Sequence, residues 1–112
     1  MLQNKKSELL LFRKHILNNG LLEERKIWRV IKTRKYPLGI KYRMVLADPK
    51  DHIILLLFDT HWPKGPHIHW ESREKFYEFQ SVEQLLNDFY QESKKEVKKY
   101  DENKKNNNQI KR

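Results

Sequence analysis

The spacing of apolar residues changes several times along the chain, and each change predicts a different element. In residues 7–18, apolar side chains recur at helical spacing, at Leu9, Phe12 and Ile16. The Asn18-Asn19-Gly20 segment that follows is typical of the end of a helix, so we predict an N-terminal helix. From Ile27 to Lys35, β-branched and aromatic residues become frequent, which predicts the first strand.

The middle of the chain is predicted to be a series of strands. In residues 40–47 the larger apolar side chains fall on every second position, as expected for a half-buried strand, and the outer face is basic near its start, at Lys41 and Arg43. Residues 53–58 are all apolar, which favours a place in the centre of the sheet. Two shorter strands are predicted at 67–70 and 76–79. The longer strands are separated by proline-containing turns at 36–39 and 48–51.

The last third of the chain predicts a helix and a tail. Ser81 and Gln84 form a capping-box motif, and apolar residues then recur at helical spacing. Residues 103–112 are rich in asparagine and lysine and have little to bury, which predicts a disordered basic tail. We therefore expect one α+β domain over residues 1–102, an antiparallel β-meander of about five strands with an N-terminal and a C-terminal helix packed on one face.

Composition and charge narrow the range of functions. The chain of 112 residues has a net charge of +9 and a sequence pI near 9.8, which predicts attraction to RNA, DNA, an acidic protein or anionic lipid. A solubilising lysine surface would give the same charge without any such partner. The sequence contains no cysteine, which excludes disulfides, thiolate catalysis and cysteine-ligated zinc. No apolar stretch is long enough to cross a bilayer, and a soluble cytoplasmic protein is expected.

Most of the candidate chemistry is concentrated in residues 59–69. This segment contains two prolines, a glycine and a dense set of titratable side chains: Asp59, His61, Lys64, His67 and His69. His67 and His69 are two positions apart on a predicted strand, so both rings should project from one face, roughly 6.6 Å apart along the chain. The prolines restrict the loop and lower the entropy that is lost when it is fixed.

Metal-independent cleavage of RNA fits this group of residues and needs no cofactor. A 2′-hydroxyl attacks the adjacent phosphodiester, and the reaction requires a base, an acid and a cation. His67 and His69 would exchange the protons, because histidine titrates near neutral pH. Lys64 would hold the phosphate, while Asp59 or His61 would orient an imidazole. Further contacts with nucleic acid are expected from cations and aromatic rings: Arg43, Arg29, Lys41, Arg73, and Trp62 or Trp70.

Three other interpretations stay open. The His-x-His pair, together with His61 or Asp59, could bind zinc, iron or nickel in a metal-dependent enzyme. The same side chains could contact phosphate in a nucleic-acid-binding protein that has no catalytic activity. They could also be ordinary polar residues on the surface of an edge strand.

The order of these features resembles the TumE family, the toxins of small two-gene toxin–antitoxin modules. The resemblance rests on the motif Asp-x-His-x-x-Lys-Gly-x-His-x-His at 59–69, on Tyr77-Glu78-Phe79 and on the serine-capped helix, and it spans residues 27–89. The chain departs from the family pattern at Pro66-His67, where members often carry two histidines, and at Ile68, where they often carry arginine.

This resemblance implies a growth-inhibiting toxin that a cognate antitoxin protein neutralises, in a prokaryote or a mobile element. An antitoxin and an RNA substrate are therefore the expected partners, and the oligomeric state is left open, with a homodimer among the alternatives. The likeness implies the toxin role but not the reaction. Ribonuclease activity is inferred from the histidines and the charge.

Overall fold

A computed structural model describes residues 7–110, with side chains described through Asn106. The elements, in chain order, are β1 (Ser7–Ile16), β2 (Leu22–Val30), β3 (Ile40–Asp48), β4 (Ile53–Asp59), β5 (His67–Trp70), β6 (Glu74–Phe76) and α1 (Val82–Ile110). The chain divides into two compact units, one that ends at Glu78 and one that begins at Phe79.

The six strands form one sheet in the order β1-β2-β3-β4-β5-β6, and every neighbouring pair is antiparallel. The predicted α+β class and meander are therefore confirmed. The predicted strand count was wrong, because the sheet has six strands instead of about five. The predicted strand at 76–79 was also misplaced, since β6 covers Glu74–Phe76.

The predicted N-terminal helix was wrong, because residues 7–16 form strand β1. This strand pairs with β2 from Ser7 opposite Val30 to Ile16 opposite Leu22. The asparagine–glycine segment closes a hairpin instead of ending a helix: Gly20 has a φ of 90°, and Asn19 Oδ1 accepts a hydrogen bond from Leu21 N at 3.0 Å. Asparagine–glycine between two apolar segments is also a strong hairpin signal.

The sheet has one buried face and one more polar face. Side chains that alternate along neighbouring strands fall in register across the buried face: Ile27, Tyr42, Met44, Leu46, Leu56, Phe58 and Ile68. The residues between them point to the opposite side, called here the histidine face because it carries His67 and His69. The predicted central position of the apolar segment at 53–58 is confirmed, since β4 lies between β3 and β5.

Helix α1 begins where the sequence predicts it. Ser81 Oγ accepts a hydrogen bond from Gln84 N at 3.1 Å, whereas the Gln84 side chain donates to Asp88 at 2.8 Å, so one half of the capping box is formed. The helix continues to Ile110, into the segment predicted to be a tail; residues 111 and 112 of that segment lie outside the described residues. The predicted domain limits and the packing of the helix stay predictions. Within residues 7–110, no helix combines the length and apolar character needed to span a membrane.

A cross-link can test strand β1, because the native chain has no cysteine. Phe12 and Lys26 lie directly opposite each other, and Cα atoms in such a pair are about 4.5–5.5 Å apart, which a disulfide can span. We expect the double variant Phe12→Cys/Lys26→Cys to form an intramolecular disulfide under mild oxidation, measured by non-reducing electrophoresis and mass spectrometry.

The matched control is Phe12→Cys/Arg25→Cys, because Arg25 lies opposite Arg13 and points to the other face. It should cross-link far less. Equal cross-linking of the two pairs would contradict the register, and a helix at residues 7–18 would leave both pairs unlinked.

Candidate functional site

The candidate site lies on the histidine face, where β4, β5 and β6 are neighbours. The antiparallel pairing of β4 with β5 places Asp59 directly opposite His67. The pairing of β5 with β6 places Phe76 opposite His67 and Glu74 opposite His69. Two rows of side chains therefore cross the strands, and each row contains one of the two histidines.

Hydrogen bonds from backbone N–H groups hold both ends of the loop at 60–66 that joins β4 to β5. At its start, Tyr42 N donates to Thr60 Oγ1 at 3.2 Å, and Thr60 N donates to Tyr42 O at 3.3 Å. At its end, Pro66 O accepts a hydrogen bond from Tyr77 N at 3.0 Å. The loop is thereby tied to β3 on one side and to the residue after β6 on the other, which fixes the strand that carries the histidines.

The His67 ring is oriented by a backbone carbonyl. Its Nδ1 lies 3.2 Å from Gly65 O, and because a carbonyl only accepts hydrogen bonds, Nδ1 carries the hydrogen in this contact. The neutral ring then has its lone pair on Nε2. The ring lies with its centroid 5.9 Å from that of His69, and it meets Phe76 edge-on at 6.1 Å.

The His69 ring lies between two carboxylates. Its Nδ1 is 3.0 Å from Glu74 Oε1, a hydrogen-bond distance, and its Nε2 is 3.8 Å from Asp59 Oδ1. The second distance is too long for a hydrogen bond but short enough for electrostatic attraction. A ring that carries both protons would donate to Glu74 through Nδ1 and direct its second N–H toward Asp59.

Glu74 joins His69 to Lys64. The Lys64 ammonium donates to both carboxylate oxygens of Glu74, at 2.8 and 2.9 Å. This hydrogen bond is the main reason why the pKa of Glu74 is lower than usual; desolvation opposes it, and the charges of Lys64, His69 and His67 lower the pKa further. The carboxylate is therefore ionised at neutral pH, and it faces a lysine and an imidazole at once.

Asp59 has an unusual environment at the end of β4. Its Oδ1 is buried and has no hydrogen-bond partner among the described residues, which is uncommon in folded proteins. Its charge also acts on the phenol of Tyr42: burial is the largest cause of the raised pKa of Tyr42, and Tyr77 and Asp59 raise it further. Tyr42 is therefore protonated throughout the physiological pH range.

Two of the predicted phosphate-binding residues lie on the same face as the histidines. Arg43 is exposed and lies directly opposite Asp59 on β3. Lys41 is two residues earlier on the same strand, so it shares this face, and its ammonium lies 5.3 Å from the ring centroid of Trp28 and 6.0 Å from that of Tyr36.

Other predicted residues are not brought to the histidine pair. Arg29 lies on the buried-face side of β2, and its guanidinium donates to Glu8 at 2.8 Å. Arg73 stacks on the ring of Trp70, with its Cζ 3.8 Å from the ring centroid. Trp70 follows His69 on β5, so its side chain lies on the face opposite the histidines. His61 is exposed, and within the described part of the chain no contact joins its ring to either His67 or His69.

Glu74 was missed because the sequence predicted strands at 67–70 and 76–79, which left Glu74 between them. In the structure Trp70 N donates to Arg73 O at 2.8 Å, so only two residues form the turn and the next residue, Glu74, is opposite His69. The signal that could have found it is the Glu-Ser dipeptide between two segments with strand alternation. A turn of two residues places Glu74 directly beside His69.

A metal centre has no complete ligand set in the described part of the chain. Among the residues whose side chains are described, no three or more histidine, aspartate or glutamate side chains are arranged so that they could hold a metal ion.

The link between Lys64 and Glu74 generates a prediction about ionisation. Replacing Lys64 with methionine removes the hydrogen bond that most lowers the pKa of Glu74, so the pKa of Glu74 should rise toward the ordinary glutamate value. In the native protein the ion pair is present above the usual titration range of glutamate and is lost as the pH falls through the lowered pKa. The pKa of Glu74 in the native protein and in the Lys64→Met variant is measured by following the ¹³C chemical shift of its side-chain carboxyl group against pH.

The matched control is Lys75→Met, which removes a neighbouring lysine on the opposite face of β6. It should leave the titration of Glu74 unchanged. If both substitutions changed the pKa of Glu74 equally, the net charge of the protein, and not the contact with Lys64, would determine that pKa.

Comparisons with known proteins bear on the same residues. The family described as Toxin TumE matches the chain over residues 4–100, which includes the histidine motif, both rows of the candidate site and most of α1. No curated protein and no solved structure gave a significant match. Since the family match covers most of its length, the chain belongs to the TumE family of toxins.

Proposed function

We propose that this toxin is an endoribonuclease that needs no metal and cleaves RNA with His67 and His69. The proposal rests on one observation: the two neighbouring rings have different hydrogen-bond partners. The Nδ1 of His67 faces a carbonyl, whereas the Nδ1 of His69 faces a carboxylate. This difference gives the two histidines different proton-transfer roles at the same location.

His67 is proposed as the general base. Its Nδ1–H donates to Gly65 O, so its Nε2 lone pair is free to accept the proton of the RNA 2′-hydroxyl. The oxygen that loses this proton attacks the adjacent phosphorus. The ring is held by the loop backbone and by the edge-on contact with Phe76, and it therefore needs little reorganisation before it acts.

His69 is proposed as the general acid. Ionised Glu74 accepts from its Nδ1, and Asp59 lies 3.8 Å from its Nε2 without taking that hydrogen in a hydrogen bond. The Nε2 proton can therefore pass to the leaving 5′-oxygen as the P–O bond breaks. The products are a 2′,3′-cyclic phosphate and a 5′-hydroxyl end, with one proton taken up by His67 and one given by His69.

Arg43 is the cation best placed to meet the phosphate. It is exposed on the histidine face and lies opposite Asp59, which is itself opposite His67. Lys64 has a different proposed role from the one that its sequence position indicates. Because its ammonium is held by Glu74, it fixes the carboxylate that orients His69 instead of binding substrate directly.

The test is cleavage of single-stranded RNA by purified protein in the presence of a chelator. His67→Ala and His69→Ala should each lower the rate by about 10²–10⁴-fold. The double variant should lose little more than either single one, because the two rings act as a unit. The pH–rate profile should be bell-shaped, and 2′-O-methyl RNA should not be cut, since it lacks the nucleophile.

His15→Ala is the matched control, because His15 is an exposed histidine on β1 and lies directly opposite Glu23. It should cleave at the native rate, and His61→Ala tests the exposed loop histidine separately. Cleavage that survives the loss of both His67 and His69 would falsify the mechanism. Activity abolished by the chelator and restored by a metal would instead support a metal-dependent enzyme, and salt-dependent binding without product would support a binding protein.

Toxicity in cells is expected to follow the same residues. Expression of the native chain should arrest growth of a bacterial host, and coexpression of a cognate antitoxin should restore it. His67→Ala and His69→Ala should not arrest growth, whereas His15→Ala should, as measured by viable counts at matched protein levels. Arrest by the His67→Ala/His69→Ala double variant would separate toxicity from the proposed chemistry.

A further inference from the structure

Two cations and one aromatic ring lie together where the β2–β3 loop meets Trp62, in the loop that joins β4 to β5. Thr33, Arg34 and Lys35 line an open pocket together with Trp62, and we call it the loop pocket. We infer that the loop pocket binds one unpaired nucleotide of the RNA, with its base stacked on Trp62 and its phosphate held by Arg34 and Lys35. The inference rests on the proposed function and names how its substrate is held.

The β2–β3 loop is held by its own hydrogen bonds. Thr33 Oγ1 accepts from Lys35 N and from Tyr36 N, both at 3.2 Å, and Thr33 N donates to Tyr36 O at 3.2 Å. Val30 N donates to Gly39 O at 2.9 Å, which closes the base of the loop. Arg34 and Lys35 are therefore presented on an ordered turn, and binding would lose less conformational entropy than on a free segment.

The charges of the loop pocket are available to a ligand. Elsewhere on the sheet, acidic side chains neutralise several cations, in the pairs Lys64–Glu74, Arg29–Glu8 and Arg25–Glu23. By contrast, Arg34 and Lys35 are exposed, and no acidic side chain in the described ranges pairs with either. A phosphate would not have to displace a carboxylate there, and so the full attraction of both cations contributes to binding.

Trp62 offers the aromatic surface that an unpaired base requires. It is 41% exposed, and it makes no ring or cation contact with any other described residue. Trp28 and Tyr36 line the adjoining pocket, but the Lys41 ammonium already lies near both rings. Stacking on an aromatic side chain is tolerant of sequence and needs a base that is not already paired, which favours single-stranded RNA.

The loop pocket is connected to the proposed cleavage site through the backbone and through one face of the sheet. Trp62 belongs to the same hairpin that carries Asp59 and His67, within the loop that joins them. Across the histidine face, Arg43 and Lys41 lie along β3 between that hairpin and the β2–β3 loop. A single strand that crosses these cations can therefore reach the loop pocket from the histidines.

Binding of a short 2′-O-methyl oligouridine tests the inference without any cleavage, measured by fluorescence anisotropy over a series of salt concentrations. Trp62→Ala should weaken binding about 5- to 100-fold and leave the salt dependence unchanged, while Trp62→Phe should retain most of the affinity. Arg34→Ala and Lys35→Ala should each reduce the slope of log K against log salt by about 0.7, the value for one phosphate contact on a single strand.

Lys50→Ala is the matched control, because Lys50 is an exposed lysine in the turn between β3 and β4, at the other end of the strands. It should leave the affinity and the salt slope close to native. The native protein and Trp62→Ala should bind a duplex of the same length with equal affinity, since the bases of a duplex are already stacked on one another.

The outcomes separate this inference from the proposed function. If the oligouridine binds through Trp62 but RNA is not cleaved, the loop pocket stands and the catalytic proposal fails. If RNA is cleaved and Trp62→Ala binds as the native protein does, the loop pocket is refuted. If Trp62→Ala keeps the native affinity for RNA but no longer binds the antitoxin, the inference is also refuted, because the pocket would then be a protein interface.

Discussion

The candidate site depends on the register of three antiparallel strands. Asp59 lies opposite His67 and Glu74 lies opposite His69 because β4, β5 and β6 pair in one particular alignment. Since side chains alternate along a strand, a slip by one residue would turn both histidines to the buried face and bring Ile68 out. The buried position of Ile68 opposes that slip. The hydrophobic effect on one face therefore fixes the polar arrangement on the other.

The sequence predicts the centre of the fold much better than its edges. The strand at 53–58 and the half-buried strand at 40–47 were predicted from apolar pattern alone, because packing in the centre of a sheet leaves little freedom in that pattern. Strand β1 was mistaken for a helix, since Leu9, Leu10 and Phe12 are exposed at the edge, where burial does not impose alternation. Only the pairing with β2 decides its conformation.

The same difference applies to the candidate site. Asp59 and the two histidines could be grouped from sequence, because they flank one loop and a hairpin brings them together. Glu74 was not assigned, since its place depends on a two-residue turn that only the Glu-Ser dipeptide marks in the sequence. The position of Arg29 on the other face likewise depends on the register of β2 with β3, which a sequence without pairing information does not contain.

Strand β6 has three residues and one hydrogen-bonded neighbour, since it lies at the edge of the sheet. Such an element opens locally at a smaller free-energy cost than the central strands do. Each opening would separate Glu74 from His69 and leave that ring without the acceptor that orients it. The fraction of molecules in which Glu74 contacts His69 thus depends on fraying of one short edge, while the rest of the sheet stays folded.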